Sequence, residues 1–185
     1  MSDEVKEQAK QQMEAAGSAV RTRLSKIRTG KASPVILDGI RVEYYGALTP
    51  LNQLATIAVP EPRLLAVKPF DRSAIREIEK AIQASNLGLN PTNDGMMIRI
   101  PIPELTEERR REFTKIAKEI GEEGKVAVRH ARQEANDKLK KLEKDGELSE
   151  DQLHTVKSEV QKMTDRFCSE IDEVVKGKET EIMEI

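Results

Sequence analysis

The sequence predicts an α+β fold, in which an elongated, antiparallel three-helix bundle carries a small β/α/β module inserted between helices one and two. Three long stretches repeat apolar side chains at spacings of three and four residues, the period of an amphipathic helix. Between the first two stretches lie short alternating runs and turn residues, which are typical of strands. The composition agrees, since 35% of residues are charged and 3% are aromatic, as in long helices with narrow cores.

The first predicted helix spans residues 2–29. Ser2 is suited to its N-cap and Gly30 to its C-cap. Four basic residues crowd its last turns: Arg21, Arg23, Lys26 and Arg28. Cations there stabilise the negative end of a helix, so these residues have either a capping role or a binding role. An apolar seam runs along this helix: Val5, Ala9, Met13, Ala16, Val20, Leu24 and Ile27.

Residues 31–105 form the predicted module. After the apolar run Val35-Ile36-Leu37, strands are predicted at residues 40–44, 53–59, 64–67 and 96–100. One helix begins after Asp71 or Ser73 and ends near Ser85, and Asn93-Asp94-Gly95 is a turn signal before the last strand. Pro101-Ile102-Pro103 then ends that strand, because proline lacks the N–H that a sheet requires.

The second predicted helix runs from the cap Thr106 to Lys144-Asp145-Gly146. The third begins at Ser149, which forms a capping box with Gln152. Both helices have an apolar stripe. In the second it consists of Phe113, Ile116, Ala117, Ile120, Gly124, Ala127, Val128, Ala131, Ala135, Leu139 and Leu142. In the third it consists of Leu153, Val156, Val160, Met163, Phe167, Ile171 and Val174.

The short loop near residue 147 makes the second and third helices antiparallel neighbours, and the seam of the first helix closes the bundle. We therefore expect a discontinuous bundle domain of residues 1–30 and 106–185, and an inserted domain of residues 31–105. Two segments of chain connect them, which predicts a hinge and an L-shaped molecule. The predicted hinge residues are Lys31, Ala32, Ser33, Pro101, Ile102, Pro103 and Glu104.

Basic side chains collect along one side of the second helix. This basic face consists of Arg111, Lys118, Lys125, Arg129 and Arg132. A net charge of −2 alone argues against a nucleic-acid partner, but the acidic excess lies in residues 149–185. Evenly spaced cations on a rigid helix could match a phosphate backbone. The alternative is a solvated face whose cations pair with glutamates of the neighbouring helices.

The residues favour no catalytic centre. His130 and His154 lack partners at metal-ligand spacing, and no glycine-rich phosphate loop is present. Cys168 is more typical of a packing or surface thiol than of a nucleophile. We therefore expect no enzyme, metal, cofactor or small-molecule substrate. No apolar run is long enough to span a membrane and the N-terminus lacks a signal core, so a cytoplasmic protein is expected.

Many short motifs in order resemble the ribosome recycling factor family, over essentially the whole chain. They are Ile27-Arg28-Thr29-Gly30-Lys31-Ala32-Ser33-Pro34, Val42-Glu43-Tyr44-Tyr45-Gly46, Pro69-Phe70-Asp71, Ser85-Asn86-Leu87-Gly88-Leu89-Asn90-Pro91, Asn93-Asp94-Gly95, Leu105-Thr106-Glu107-Glu108-Arg109-Arg110, Val128-Arg129, Arg132, Ala135-Asn136-Asp137 and Leu139-Lys140-Lys141. The resemblance implies the same bundle and module on a flexible joint.

It also implies a non-enzymatic translation factor that works with elongation factor G to split the post-termination ribosome, so that the subunits are reused. The bundle would lie on large-subunit ribosomal RNA (rRNA) and the module would face elongation factor G. The family's rRNA-contact arginines correspond to Arg28, Arg110, Arg129 and Arg132. The family commonly has Arg-Arg-Asp where this chain has Arg132-Gln133-Glu134, which removes any contribution of the second arginine.

Two other classes compete with this interpretation. A coiled-coil adaptor would use an uncovered apolar seam to bind a partner helix or a second copy, whereas a recycling factor is expected to be a monomer. An enzyme in the module would need a nucleophile–base pair or a metal set, and the sequence contains neither.

Overall fold

The computed structural model describes residues 2–184, which form five α-helices and six β-strands in two compact units. One unit runs to Ile27 and resumes at Glu108; the other spans Arg28–Glu107. The first unit is built from α1 (Ser2–Ser25), α4 (Glu107–Lys144) and α5 (Glu150–Met183). The second contains β1 (Arg41–Tyr44), β2 (Ala47–Pro50), α2 (Leu51–Leu54), β3 (Ala55–Glu61), β4 (Leu64–Pro69), α3 (Ile75–Ala84), β5 (Thr92–Asn93) and β6 (Ile98–Pro101).

The three long helices form the predicted bundle, with α4 antiparallel to both partners. Ion pairs join Lys6 to Glu159 near the start of α1 and Arg21 to Glu170 farther along, so α1 and α5 run in the same direction. Hydrogen bonds between α1 and α4 follow the opposite order, from Gln8 with Lys138 to Arg23 with Glu123. The α1 seam packs into the core of the bundle, with four of its residues buried and Val5, Ala16 and Ile27 partly buried. An adaptor that needed this seam to be uncovered is therefore disfavoured.

Two glycines let the helices approach closely. A Cβ atom on Gly124 would lie 2.2 Å from Cγ2 of Val20, and one on Gly121 would lie 2.6 Å from Cγ2 of Val175. Around them the core buries one stripe of each helix, including Met13, Leu139 and Ile182. The apolar stripe predicted for α4 is too wide, because Ile116 and Ala127 are exposed.

The end of α4 and the start of α5 match their local sequence signals. At the end of α4, the N–H of Gly146 donates to Glu143 and that of Glu147 to Leu142, a Schellman arrangement that requires the positive φ of 78° at Gly146. Ser149 and Gln152 form the predicted capping box of α5. The first helix is shorter than predicted. It ends at Ser25, whose hydroxyl donates to the carbonyl of Thr22, so Gly30 is not its cap.

The second unit contains two antiparallel sheets and one longer helix. The β1–β2 hairpin forms one sheet, and the other has the strand order β3-β4-β6-β5. The hydrophobic core of the second unit includes Val42, Leu65, Val67, Ile78 and Ile100. The bundle, the inserted mixed module and the α+β class are thus confirmed.

Several predicted boundaries within this unit are wrong. The run Val35-Ile36-Leu37, for which no element was predicted, lies in a 3₁₀ turn that Ser33 caps, because Pro34 presets the turn. Residues 53 and 54 belong to α2 and not to a strand. The last strand begins at Ile98 because the Asp94 carboxylate binds the backbone N–H groups of Met96 and Met97.

Candidate nucleic-acid interface

The α4 helix carries the basic face, whose members differ in what they contact. At about 100° per residue, Arg111, Lys118, Lys125 and Arg132 lie within about 60° of Arg129. Lys115 and Lys140 lie within about 40° of it on the exposed side and were not among the predicted residues. The face therefore contains more cations than the sequence analysis assigned.

Lys125 is largely enclosed, with its side chain 15% exposed. Its ammonium nitrogen lies 2.8 Å from Oδ1 of Asp172 on α5 and 2.6 Å from Oε1 of Glu122. The hydrogen bond that Lys125 donates to Asp172, and then the one that it donates to Glu122, raises the pKa of Lys125 above its ordinary value. Its charge is thus largely neutralised within the bundle, as the solvated-face alternative expects.

Arg132 is held in place without being neutralised. Its guanidinium donates from Nη1 to Oε1 of Gln161 at 3.1 Å, and the amide nitrogen of Gln161 donates to Oδ1 of Asp165 at 2.8 Å. The side chain of Arg132 is half-buried. Because its partner is a neutral amide, the guanidinium keeps its charge and its remaining donors.

Arg129 and Lys118 are exposed. Within residues 2–184 neither forms a hydrogen bond or an ion pair. Arg129 lies close enough to Cys168 for its charge to lower the thiol pKa, although burial outweighs this effect and raises that pKa overall. These two cations are therefore available to an anionic partner.

Arg110 and Arg28, two of the predicted rRNA-contact residues, have surroundings that differ from those of the basic face. Arg110 donates from Nη1 to the carbonyls of Ile182, at 2.9 Å, and Glu184, so it closes the C-terminal end of α5. Arg28 is exposed but belongs to the second compact unit. The structure thus brings together Lys118, Lys125, Arg129 and Arg132, but it does not place Arg28 on the same helix face.

The predicted hinge residues all lie in the second unit and are fixed to it. The N–H of Ala32 donates to Pro62 at 2.7 Å and that of Ile102 to Arg63 at 2.8 Å. Pro101 pairs with Leu64 within the sheet, and Glu104 forms an ion pair with Arg63. Arg28, Lys31, Ile102, Pro103 and Glu104 line a small cavity within this unit. Motion at the predicted hinge would flex the chain next to these bonds.

The partners on α5 were missed by the sequence analysis, although a signal existed. A tight loop near residue 147 makes α4 and α5 antiparallel, so a residue a given number of positions before the loop lies opposite one the same number after it. This places Lys125 opposite the stretch around residue 170 and Arg132 opposite Gln161. Within that stretch, Asp172 is the acidic residue that contacts Lys125. That pairing places a carboxylate opposite Lys125 and so distinguishes it from Arg129.

No helix within residues 2–184 is long and apolar enough to cross a membrane.

The family model for ribosome recycling factors matches residues 20–183. The ribosome-recycling factors of Halalkalibacterium halodurans and Bacillus subtilis are 58% and 56% identical to this chain, in each case over the full length of both proteins.

Solved structures agree with the sequence relatives. A solution structure of a ribosome recycling factor is 38% identical, covers 100% of this chain and 98% of its own, and superposes with a TM-score of 0.79. A T. thermophilus ribosome recycling factor, bound together with E. coli elongation factor G to the E. coli post-termination complex, is 44% identical over the whole of both chains, with a TM-score of 0.68. This chain therefore belongs to the ribosome recycling factor family.

Proposed function

We propose that this chain binds large-subunit rRNA through the basic face and, with elongation factor G, splits the post-termination ribosome so that its subunits are reused. The observation that carries the rRNA contact is that Arg129 is exposed and forms no ion pair within residues 2–184, while the neutral amide of Gln161 orients Arg132 on the same helix. Guanidinium groups bind phosphate oxygens in a bidentate manner. One oriented and one available guanidinium, a turn of helix apart, suit an RNA backbone.

The predicted contacts differ in how freely they can contribute. Arg129 and Lys118 contribute most, because neither has an ion pair among the described residues that binding would break. Lys125 contributes less, since its ammonium already contacts two carboxylates. Arg110 would have to exchange or share the carbonyls of α5. Arg28, on the second unit, remains a predicted contact of its own.

The role with elongation factor G is supported by full-length relatives named as ribosome-recycling factors. It is also supported by the T. thermophilus relative that is bound with elongation factor G to a post-termination complex. The proposed action needs no chemistry from this chain. The GTP that elongation factor G hydrolyses would supply the energy, and this chain would supply a rigid RNA-binding helix.

The rRNA contact can be tested by pelleting the chain with large ribosomal subunits at graded salt. Binding driven by phosphate contacts weakens steeply as salt rises. Arg129→Ala should weaken binding and lower the salt slope by about one, with the fold unchanged. Arg76→Ala is a matched control, because Arg76 is an exposed arginine on α3. Equal binding of the Arg129 and Arg76 variants would contradict the assignment of the basic face.

The recycling activity can be tested separately, by light scattering of post-termination ribosomes mixed with the chain, elongation factor G and GTP. The expected result is a loss of scattering that requires all three components. Intact ribosomes in the complete mixture would refute the recycling role, whatever the binding result.

A further inference from the structure

A short chain of hydrogen bonds runs from α5 to Arg132 on the basic face. Oδ1 of Asp165 accepts a hydrogen bond from the amide nitrogen of Gln161 at 2.8 Å. The carbonyl oxygen of the same amide accepts one from Nη1 of Arg132 at 3.1 Å. The carboxylate and the guanidinium are thus held apart by the width of one amide group, and neither forms an ion pair within residues 2–184. An acid therefore lies close to a proposed rRNA contact without neutralising it.

The neighbouring acid and cation do form an ion pair, with the Lys125 ammonium 2.8 Å from Oδ1 of Asp172. Arg132 lies seven residues after Lys125 on α4. Asp165 lies seven residues before Asp172 on α5. Because the two helices are antiparallel and seven residues make nearly two turns, the two pairs occupy equivalent positions. The helix geometry alone would therefore let Arg132 reach Asp165.

The two pairs differ in the residue that lies one turn before the acid on α5. Cys168 precedes Asp172 by four residues, and Gln161 precedes Asp165 by four. A thiol is a weak hydrogen-bonding group, whereas a glutamine amide carries both strong donors and a strong acceptor. The amide of Gln161 can therefore bind the acid with its nitrogen and the arginine with its oxygen. Cys168 cannot bridge its neighbours in this way, and there the acid contacts the cation directly.

The charge of Asp165 acts on the same part of the face as that of Arg129. Burial raises the pKa of the Cys168 thiol, the charge of Arg129 opposes that rise, and the charge of Asp165 adds to it. Both charged groups thus lie near one thiol. A carboxylate in this position, if it paired with a guanidinium, would compete with phosphate for the same N–H donors.

We propose that Gln161 is a positioning residue for rRNA binding, whose amide engages Asp165 and thereby keeps the Arg132 guanidinium open to phosphate. This inference rests on the proposed function, because it concerns an arginine that is assigned there to rRNA. Without the amide, Arg132 turns to Asp165, and RNA has to displace that carboxylate. The proposal makes α5 part of a surface whose cations all lie on α4.

The test introduces Gln161→Ala into the full chain, in the wild-type background and in the Asp165→Asn background. Pelleting with large ribosomal subunits at graded salt measures binding. Both positions are exposed and alanine is a good helix former, so the variants should fold, which circular dichroism checks. Gln83→Ala is the control, because Gln83 is an exposed glutamine on α3. If Gln161→Ala does not fold, Gln161→Met replaces it, since methionine keeps the length of the side chain without its amide.

Gln161→Ala should weaken binding about threefold at low salt, the effect of one exposed ion pair. The deficit should shrink as salt rises, because salt screens the competing pair. In the Asp165→Asn background the same substitution should have no effect, since no carboxylate remains to compete. Unchanged binding in the wild-type background would overturn the proposal. An equal loss in both backgrounds would overturn it too, because the amide would then act on RNA independently of Asp165.

If the wild-type chain does not pellet with the subunits, the proposed rRNA contact has failed, and urea unfolding still tests the hydrogen-bond chain. A double-mutant cycle of Arg132→Ala with Asp165→Asn measures the coupling between these two side chains. The coupling should be larger in the Gln161→Ala background than in the wild-type background. Equal coupling in the two backgrounds would show that Gln161 does not keep the charges apart, and the proposal would fall.

Discussion

Lys125 and Arg129 lie one helical turn apart on α4, yet their surroundings give them different roles. Lys125 is enclosed by Asp172 and Glu122, whereas Arg129 is exposed and forms no ion pair within residues 2–184. Sequence spacing places both in the basic face and cannot separate them. The difference comes from α5, whose Asp172 carboxylate lies 2.8 Å from the Lys125 ammonium and forms no ion pair with Arg129. A cation's availability is thus decided by its cross-helix neighbour.

Lys125→Met should lower the free energy of unfolding at pH 7 by about 0.5–1 kcal/mol, because two partly exposed ion pairs are lost while the apolar stem remains. The raised pKa of Lys125 gives the effect a pH dependence. The stabilisation is complete below the ordinary lysine value near 10.4, and it is lost as the pH rises through the raised value.

Urea unfolding of the wild type and the variant at pH 7 and in strongly alkaline solution measures this effect. The difference between the two proteins should shrink at the higher pH. Arg129→Met is the matched control and should change stability by less than about 0.5 kcal/mol. A gap that widens in alkali would show that Lys125 does not stabilise the fold through its charge.

The Cys168 thiol provides an independent check on Arg129. Burial raises its pKa, and the charges of Arg129 and Lys125 oppose that rise. Arg129→Gln removes one of these opposing charges, so the thiol pKa should rise further and its reaction with a disulfide reagent at pH 8 should slow, because the thiolate is the reactive form. Arg132→Gln should leave the rate nearly unchanged. A faster reaction in the Arg129 variant would argue against the proximity of the two groups.

At the scale of the elements, the helix ends that the sequence predicts correctly are those set by capping residues next to them in the chain. The capping box at Ser149 and the glycine at 146 act within a few residues, so their sequence signals are sufficient. The end of α1 was misplaced because helical periodicity continues to Ile27, while the backbone already leaves the helix after Ser25. Residues 53 and 54 were misassigned for a similar reason, since a single turn of helix leaves no periodic pattern to detect.

The close approach of α1 to α4 at Gly124 predicts opposite effects for two glycine substitutions. In Gly124→Ala the new methyl would clash with Val20, and overpacking typically costs about 1–3 kcal/mol. This exceeds the roughly 1 kcal/mol that alanine gains over glycine within a helix. Among the described residues, nothing outside its chain neighbours and its own helix backbone lies within 4 Å of the Cβ position of Gly177 on α5, so Gly177→Ala should stabilise by about 0.5–1 kcal/mol.

Urea unfolding followed by circular dichroism compares both variants with the wild type. Equal stabilisation by the two substitutions would mean that Val20 moves aside without cost, and that Gly124 does not set the distance between the helices.

At the scale of the whole molecule, the discontinuous bundle and the inserted unit could be predicted because each has its own hydrophobic period. The boundaries between the compact units fall between residues 27 and 28 and between 107 and 108, a few residues outside the predicted ones. Sequence could not find them because the connecting segments are fixed by tertiary bonds, such as those of Ala32 to Pro62 and Ile102 to Arg63. Tertiary contacts also limit what the sequence shows of the basic face. Its members can be predicted from helical spacing, but their partners on the neighbouring helix cannot.

The two cores share no residue, which predicts that each unit's stability responds mainly to its own core. Both tyrosines lie in the second unit and the chain has no tryptophan, so tyrosine fluorescence reports that unit alone. Circular dichroism at the helix band reports chiefly α1, α4 and α5. Ile78→Ala should shift the fluorescence transition by about 2–5 kcal/mol and Leu139→Ala the dichroism transition. If either substitution moved both transitions equally, the units would unfold as one.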